Sequence, residues 1–81
     1  MHDQRSPVAE QDHDNDQRVL GLLLEPDNQR PWSTDELLRE VGDRIVMADS
    51  LARLYAAGLI HRLGEFVWPT RPALRAAALA Q

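Results

Sequence analysis

Leu51-Ala52-Arg53-Leu54-Tyr55-Ala56-Ala57-Gly58-Leu59-Ile60-His61-Arg62 is the stretch whose reading decides the fold. Before Gly58 its apolar residues recur at helical intervals, and after Gly58 they follow a strand. Upstream, Met47, Ala48, Leu51, Leu54 and Tyr55 stand at i, i+4 and i+7 spacing, which predicts the buried stripe of a helix. Gly58 is the residue that closes a helix in the left-handed region. Downstream, Leu59–Leu63 and Phe66-Val67-Trp68 flank Gly64-Glu65, with glycine at the first central position that a type II′ turn requires, so they read as a tight hairpin. With Leu63 opposite Phe66, alternation puts Leu59, His61, Leu63, Phe66 and Trp68 on one face and Ile60, Arg62 and Val67 on the other. One face must cover the helices, and the bulk of Phe66 and Trp68 favours burial for both. The remaining face then leaves apolar surface for a partner.

Working towards the N-terminus, Asp43 is placed to cap this helix, and Gly42 directly before it suits the left-handed end of another. That preceding helix has the strongest start signal in the chain. Ser33 and Glu36 have capping-box spacing, and Trp32 and Leu37 stand at the positions of a hydrophobic staple. Two helices therefore meet across a turn of two or three residues. Further back, Asn15 or Asp16 is placed to cap a first helix carrying Val19, Leu20, Leu22, Leu23 and Leu24, ended by Glu25-Pro26-Asp27-Asn28. At the other end Pro69 stops the hairpin. Thr70 caps a last helix through Arg71, Pro72, Ala73, Leu74, Ala77, Ala78 and Leu79, and proline is tolerated in its first turn.

The 81 residues allow one small domain with a thin core. With no Cys there is no disulfide, thiolate nucleophile or Cys-bound zinc. No apolar run approaches the ~18–20 residues that cross a bilayer, and no secretory h-region is seen, so a soluble cytoplasmic protein without membrane contact is the expectation. Residues 1–16 carry five acids against Arg5, a net −4, while 17–81 are neutral. With only Met1, Val8 and Ala9 as apolar side chains, 1–16 read as a disordered acidic tail and 17–81 as the domain. Deleting such a tail would leave stability unchanged and strengthen non-specific DNA binding.

Taken together, the helix, the short-turned helix pair, the L-x-x-L-x-x-x-G-L-I-x-R run of Leu51–Arg62 and the hairpin ending in Trp68-Pro69-Thr70 resemble the winged helix-turn-helix domains of bacterial transcriptional regulators, MarR-like ones included. The resemblance implies an α+β fold with a three-helix core, a two-stranded wing and a C-terminal helix. It also implies a small transcriptional regulator that binds double-stranded DNA, with its third helix (about 44–57) in the major groove and its wing (59–68) at the backbone. Arg44, Val46, Asp49, Ser50, Arg53 and Arg62 then become the DNA-binding positions. Against this stand the acids Asp35, Glu36, Glu40 and Asp49 on the same surfaces and the short wing tip. A protein-interaction or dimerisation module on the same fold is the alternative, with the Ala-rich last helix able to pair with its mate in a homodimer.

An enzyme is not expected. His61 is the only imidazole outside the acidic tail, and no nucleophile–base pair or pair of carboxylates can be built around it. Asp12-x-Asp14-x-Asp16 has the opening spacing of a calcium loop, but Gln17 and Leu23 stand where that loop needs Gly and Glu. No cofactor or metal is expected.

Overall fold

Four helices and a three-stranded antiparallel sheet make an α+β domain in the order α1 (Pro7–Leu23), β1 (Trp32–Ser33), α2 (Thr34–Val41), α3 (Arg44–Ala56), β2 (Ile60–Leu63), β3 (Phe66–Pro69) and α4 (Arg71–Leu79). The structure is a computed structural model and describes residues 7–26 and 30–79. No helix among these residues is long and apolar enough to cross a membrane.

The local signals around α2 and α3 act as their chemistry dictates. Ser33 Oγ accepts from the Glu36 N–H at 3.1 Å while the Glu36 carboxylate accepts from the Ser33 N–H at 3.0 Å, so two orphan donors at the start of α2 are satisfied reciprocally. Gly42 ends α2 at φ 85°, and its N–H donates to the Leu38 carbonyl. Asp43 Oδ1 then accepts from the N–H groups of Ile45 and Val46 and starts α3. At the far end Gly58 turns at φ 75°, and Leu59 N–H closes back onto Leu54 O. Thr70 joins two elements, donating from Oγ1 to Gly58 O at 2.8 Å and accepting from the Ala73 N–H at the start of α4.

In the hairpin, Leu63 pairs with Phe66, Arg62 with Val67 and His61 with Trp68. Gly64 has positive φ and Glu65 does not, the pattern of a type II′ turn. β1 adds a strand absent from the sequence reading. Trp32 pairs with Val67 and Ser33 with Phe66, so β3 lies between β1 and β2. Two residues carry too little periodicity to announce a strand, and Trp32 serves both as staple and as sheet partner.

The core joins Val19 and Leu23 of α1, Leu37 of α2, Met47, Leu51 and Leu54 of α3, and Trp32, Ile60 and Val67 of the sheet. Each large side chain fully withdrawn from water contributes roughly 1.5–3 kcal/mol. From α4 only Ala73 is buried; Leu79 is 80% exposed.

Several expectations are corrected. α1 begins at Pro7, so residues 7–16 are helix rather than disordered tail, and Asn15 and Asp16 lie inside the helix instead of capping it. Residues 1–6 lie outside the described region. On α3 the buried stripe is Met47, Ser50, Leu51 and Leu54, whereas Ala48 and Tyr55 face water. On the hairpin it is the Ile60–Val67 face that covers the helices. Phe66 is 45% exposed on the opposite face, and Trp68 is half-buried there, lining a cavity with Leu23, Leu24 and Leu74.

Candidate functional site

The six positions expected to contact DNA do not form one surface. Arg44, at the first turn of α3, and Asp49 are exposed, Val46 is half-buried, and Arg62 is exposed on β2. Ser50 and Arg53 are turned the other way. Ser50 is fully buried and donates to Asp16 Oδ1 at 2.6 Å. Arg53 donates to the same carboxylate from Nε (3.0 Å to Oδ2) and from Nη2 (3.0 Å to Oδ1), and its Nη1 lies 3.6 Å from Asp12. The two residues are thus consumed in holding α3 to α1. Burial opposes ionisation of Asp16, but the hydrogen bonds from Arg53 and Ser50 outweigh it and hold the carboxyl below its usual range.

Periodicity could not reveal this contact, because helical phase assigns Ser50 and Arg53 to the outside until the acids of 7–16 are known to be helical. The signal that was present is the i, i+4 pair Asp12 and Asp16, which meets the i, i+3 pair Ser50 and Arg53 from the facing helix. With those two removed, the outward face of α3 presents Arg44, Ile45, Ala48, Asp49, Ala52 and Tyr55. One arginine and one aspartate among apolar residues make a poor reader of base edges.

A different surface gathers aromatic rings, with Arg71 at its border and Arg62 on the hairpin's other face beside Val67. The outer face of the hairpin carries Leu63, Phe66, His61 and Trp68, with His61 and Trp68 ring centres 5.5 Å apart and tilted by 39°. His61 also lines a shallow groove with Tyr55 of α3 and Arg71 of α4, and no acid among the described residues lines that groove. Arg71 and Arg75, one turn apart on α4, border a second groove. Arg62, Arg71 and Arg75 make no ion pair among the described residues, unlike Arg30, which forks onto Glu36 at 2.7 and 3.1 Å.

Charge follows the same division. Residues 52–79 hold Arg53, Arg62, Arg71 and Arg75 against Glu65 alone, a net +3, while 7–51 hold eleven acids against four arginines, a net −7. A split of the chain at residue 16 hides this, since the domain beyond it sums to zero.

Among the described residues no group of acids, His or Cys could hold a metal ion. Compared with known proteins, the chain matches no family model, no curated protein and no solved structure.

Proposed function

We propose that this chain is a winged helix-turn-helix domain that binds nucleic acid through its hairpin and α4 rather than through the outward face of α3. The capped α2–α3 pair with its two-residue junction, followed by a hairpin, supports the winged-helix reading. The observation that carries the function is that Arg62, Arg71 and Arg75, which like Arg39 and Arg44 make no ion pair among the described residues, all lie in residues 52–79, the part of the chain with net positive charge. Phosphates are drawn to that side and repelled from the side bearing Asp35, Glu40 and Asp49.

Anisotropy titration of labelled 25-mers, single-stranded and duplex, over a range of NaCl concentrations tests the proposal. Binding must weaken linearly in log–log form, and Arg71→Gln with Arg75→Gln must flatten the slope by roughly 0.7–0.9 for each phosphate no longer neutralised. No binding to either strand form at low salt overturns it.

A protein-interaction or dimerisation module is the second reading, and Leu63 favours it. This side chain is 72% exposed on the hairpin face, where it offers nothing to a phosphate. Sedimentation equilibrium of wild type and Leu63→Ser decides between them. Self-association abolished by the substitution, together with no nucleic-acid binding, supports the second reading.

A further inference from the structure

We infer that the hairpin's outer face is a stacking platform for single-stranded nucleic acid. The inference rests on the nucleic-acid reading above and names the form of strand that surface takes. Of the four Phe, Tyr and Trp residues in the chain, only Trp32 is buried. Tyr55 is 57% and Phe66 45% exposed, Trp68 is half-buried with His61 tilted against it, and the Tyr55–His61 groove is bounded by Arg71. Exposed rings bordered by Arg71, which makes no ion pair among the described residues, suit unstacked bases joined by phosphates, since every base has a face that stacks on an aromatic side chain.

A duplex makes no use of those rings, because its bases are already stacked on one another. The features a duplex needs are also lacking. The outward face of α3 carries Arg44 as its one cation, beside Ile45, Ala48, Asp49 and Ala52. The hairpin tip is Gly64-Glu65, an acidic two-residue turn, and the Glu65 carbonyl accepts from the Thr34 N–H at 2.8 Å, which ties the tip down on β1 and α2. Such a tip neither projects nor attracts a phosphate backbone. An acidic polypeptide would meet the arginines equally well but would leave the rings without partners.

Intrinsic fluorescence offers a direct readout, because Trp68 lies on the platform while Trp32 is sealed in the core. Titration of the full chain with oligo(dT) of 15 nucleotides at low salt is expected to quench emission. Affinity is expected to be at least tenfold above that for a duplex of equal length. Trp68→Ala and, separately, Phe66→Ala are each expected to weaken oligo(dT) binding by roughly 5- to 100-fold in an anisotropy assay. Phe66 touches less of the interior, so its variant holds the test open if loss of Trp68 unfolds the domain; both are first shown to melt cooperatively.

Duplex binding as tight as single-strand binding, without quenching and unchanged in Phe66→Ala, overturns the platform and leaves the nucleic-acid reading standing. Polyglutamate competing as well as oligo(dT) at equal charge overturns it too, since charge alone would then account for binding. Failure to bind either strand form removes both readings.

Discussion

Ser50 Oγ lies 2.6 Å from Asp16 Oδ1, a hydrogen bond that joins the fully buried hydroxyl of α3 to the acidic half of α1 across 34 residues of chain. A buried hydroxyl is stabilising only while its partner is present. Without the carboxylate, Ser50 is left unsatisfied and Arg53 is deprived of its fork, so Asp16→Ala is expected to cost about 1–3 kcal/mol in urea unfolding. Asp16→Asn keeps one acceptor for Ser50 and is expected to cost less. Deleting residues 1–16 removes the same hydrogen bonds together with the first turns of α1, so the melting temperature is expected to fall, in contrast to the outcome for a disordered tail.

Acid is expected to weaken the fold in a defined window. Hydrogen bonds from Arg30 and then from the Ser33 N–H hold the Glu36 carboxyl down from 4.5 to about 2, and Asp16 is likewise lowered from its ordinary 3.8. Both groups have depressed folded-state values. Their contribution is therefore complete above the unfolded values and is lost as pH falls through the folded ones. Melting temperature is expected to hold down to about pH 4.5 and then decline towards pH 2. Arg30→Gln, which removes the main cause of the Glu36 shift, is expected to make that decline shallower. A wild-type melting temperature unchanged from pH 5 to pH 2 would contradict the assignment.

The capping box at the start of α2 makes a separate prediction. Ser33→Ala removes the acceptor for the Glu36 N–H while leaving Trp32 and Leu37 in place, and is expected to cost about 0.5–2 kcal/mol. Glu36→Gln keeps a side-chain acceptor for the Ser33 N–H but removes the charge facing Arg30. It is expected to cost less than Ser33→Ala in the same unfolding assay.

How much of this is legible in the sequence depends on the range of the interaction. Ser33, Gly42, Asp43, Gly58 and Gly64 act on backbone groups within a few residues, as does Thr70 in capping α4, and sequence spacing identifies each as a cap or turn; the second bond of Thr70, to Gly58 O twelve residues back, is not legible in that way. Long-range contacts escape it. The acids of 7–16 have few apolar neighbours, so composition argues for disorder, while the force that keeps them helical comes from Arg53 and Ser50 more than thirty residues away. Alternation in the hairpin separates the two faces from Ile60 to Trp68, but not Leu59, which lies before β2 and packs against the core. Which face covers the helices is misjudged, because the bulk of Phe66 and Trp68 favours their burial, whereas the smaller Ile60 and Val67 are the side chains that pack on the helices. The candidate site suffers most from this, since the positions on α3 depend on helical phase and the hairpin surface depends on the choice of face.

The phase of α3 can be checked directly with three neighbouring residues. In the structure Leu54 is 4% exposed in the core, Tyr55 is 57% exposed, and Ser50 has no exposed surface. The sequence stripe places Leu54 and Tyr55 together inside, with Ser50 outside. Leu54→Ala is expected to cost about 2–5 kcal/mol, the range for emptying a leucine site that collapses only in part. Both phases share that outcome, so it does not separate them. Tyr55→Ser separates them: an exposed ring is expected to give a change within about 0.5 kcal/mol, whereas a core tyrosine replaced by serine leaves a cavity and a new buried hydroxyl. Ser50→Leu completes the comparison. On an exposed face it is close to neutral, but against Asp16 it forces a larger side chain into a filled site and strands the carboxylate without its hydroxyl donor, so a loss of more than about 2 kcal/mol is expected. Large loss at Tyr55 with none at Ser50, measured by urea unfolding at pH 7, would rotate α3, return Ser50 and Arg53 to the solvent face, and restore that helix as the contact surface.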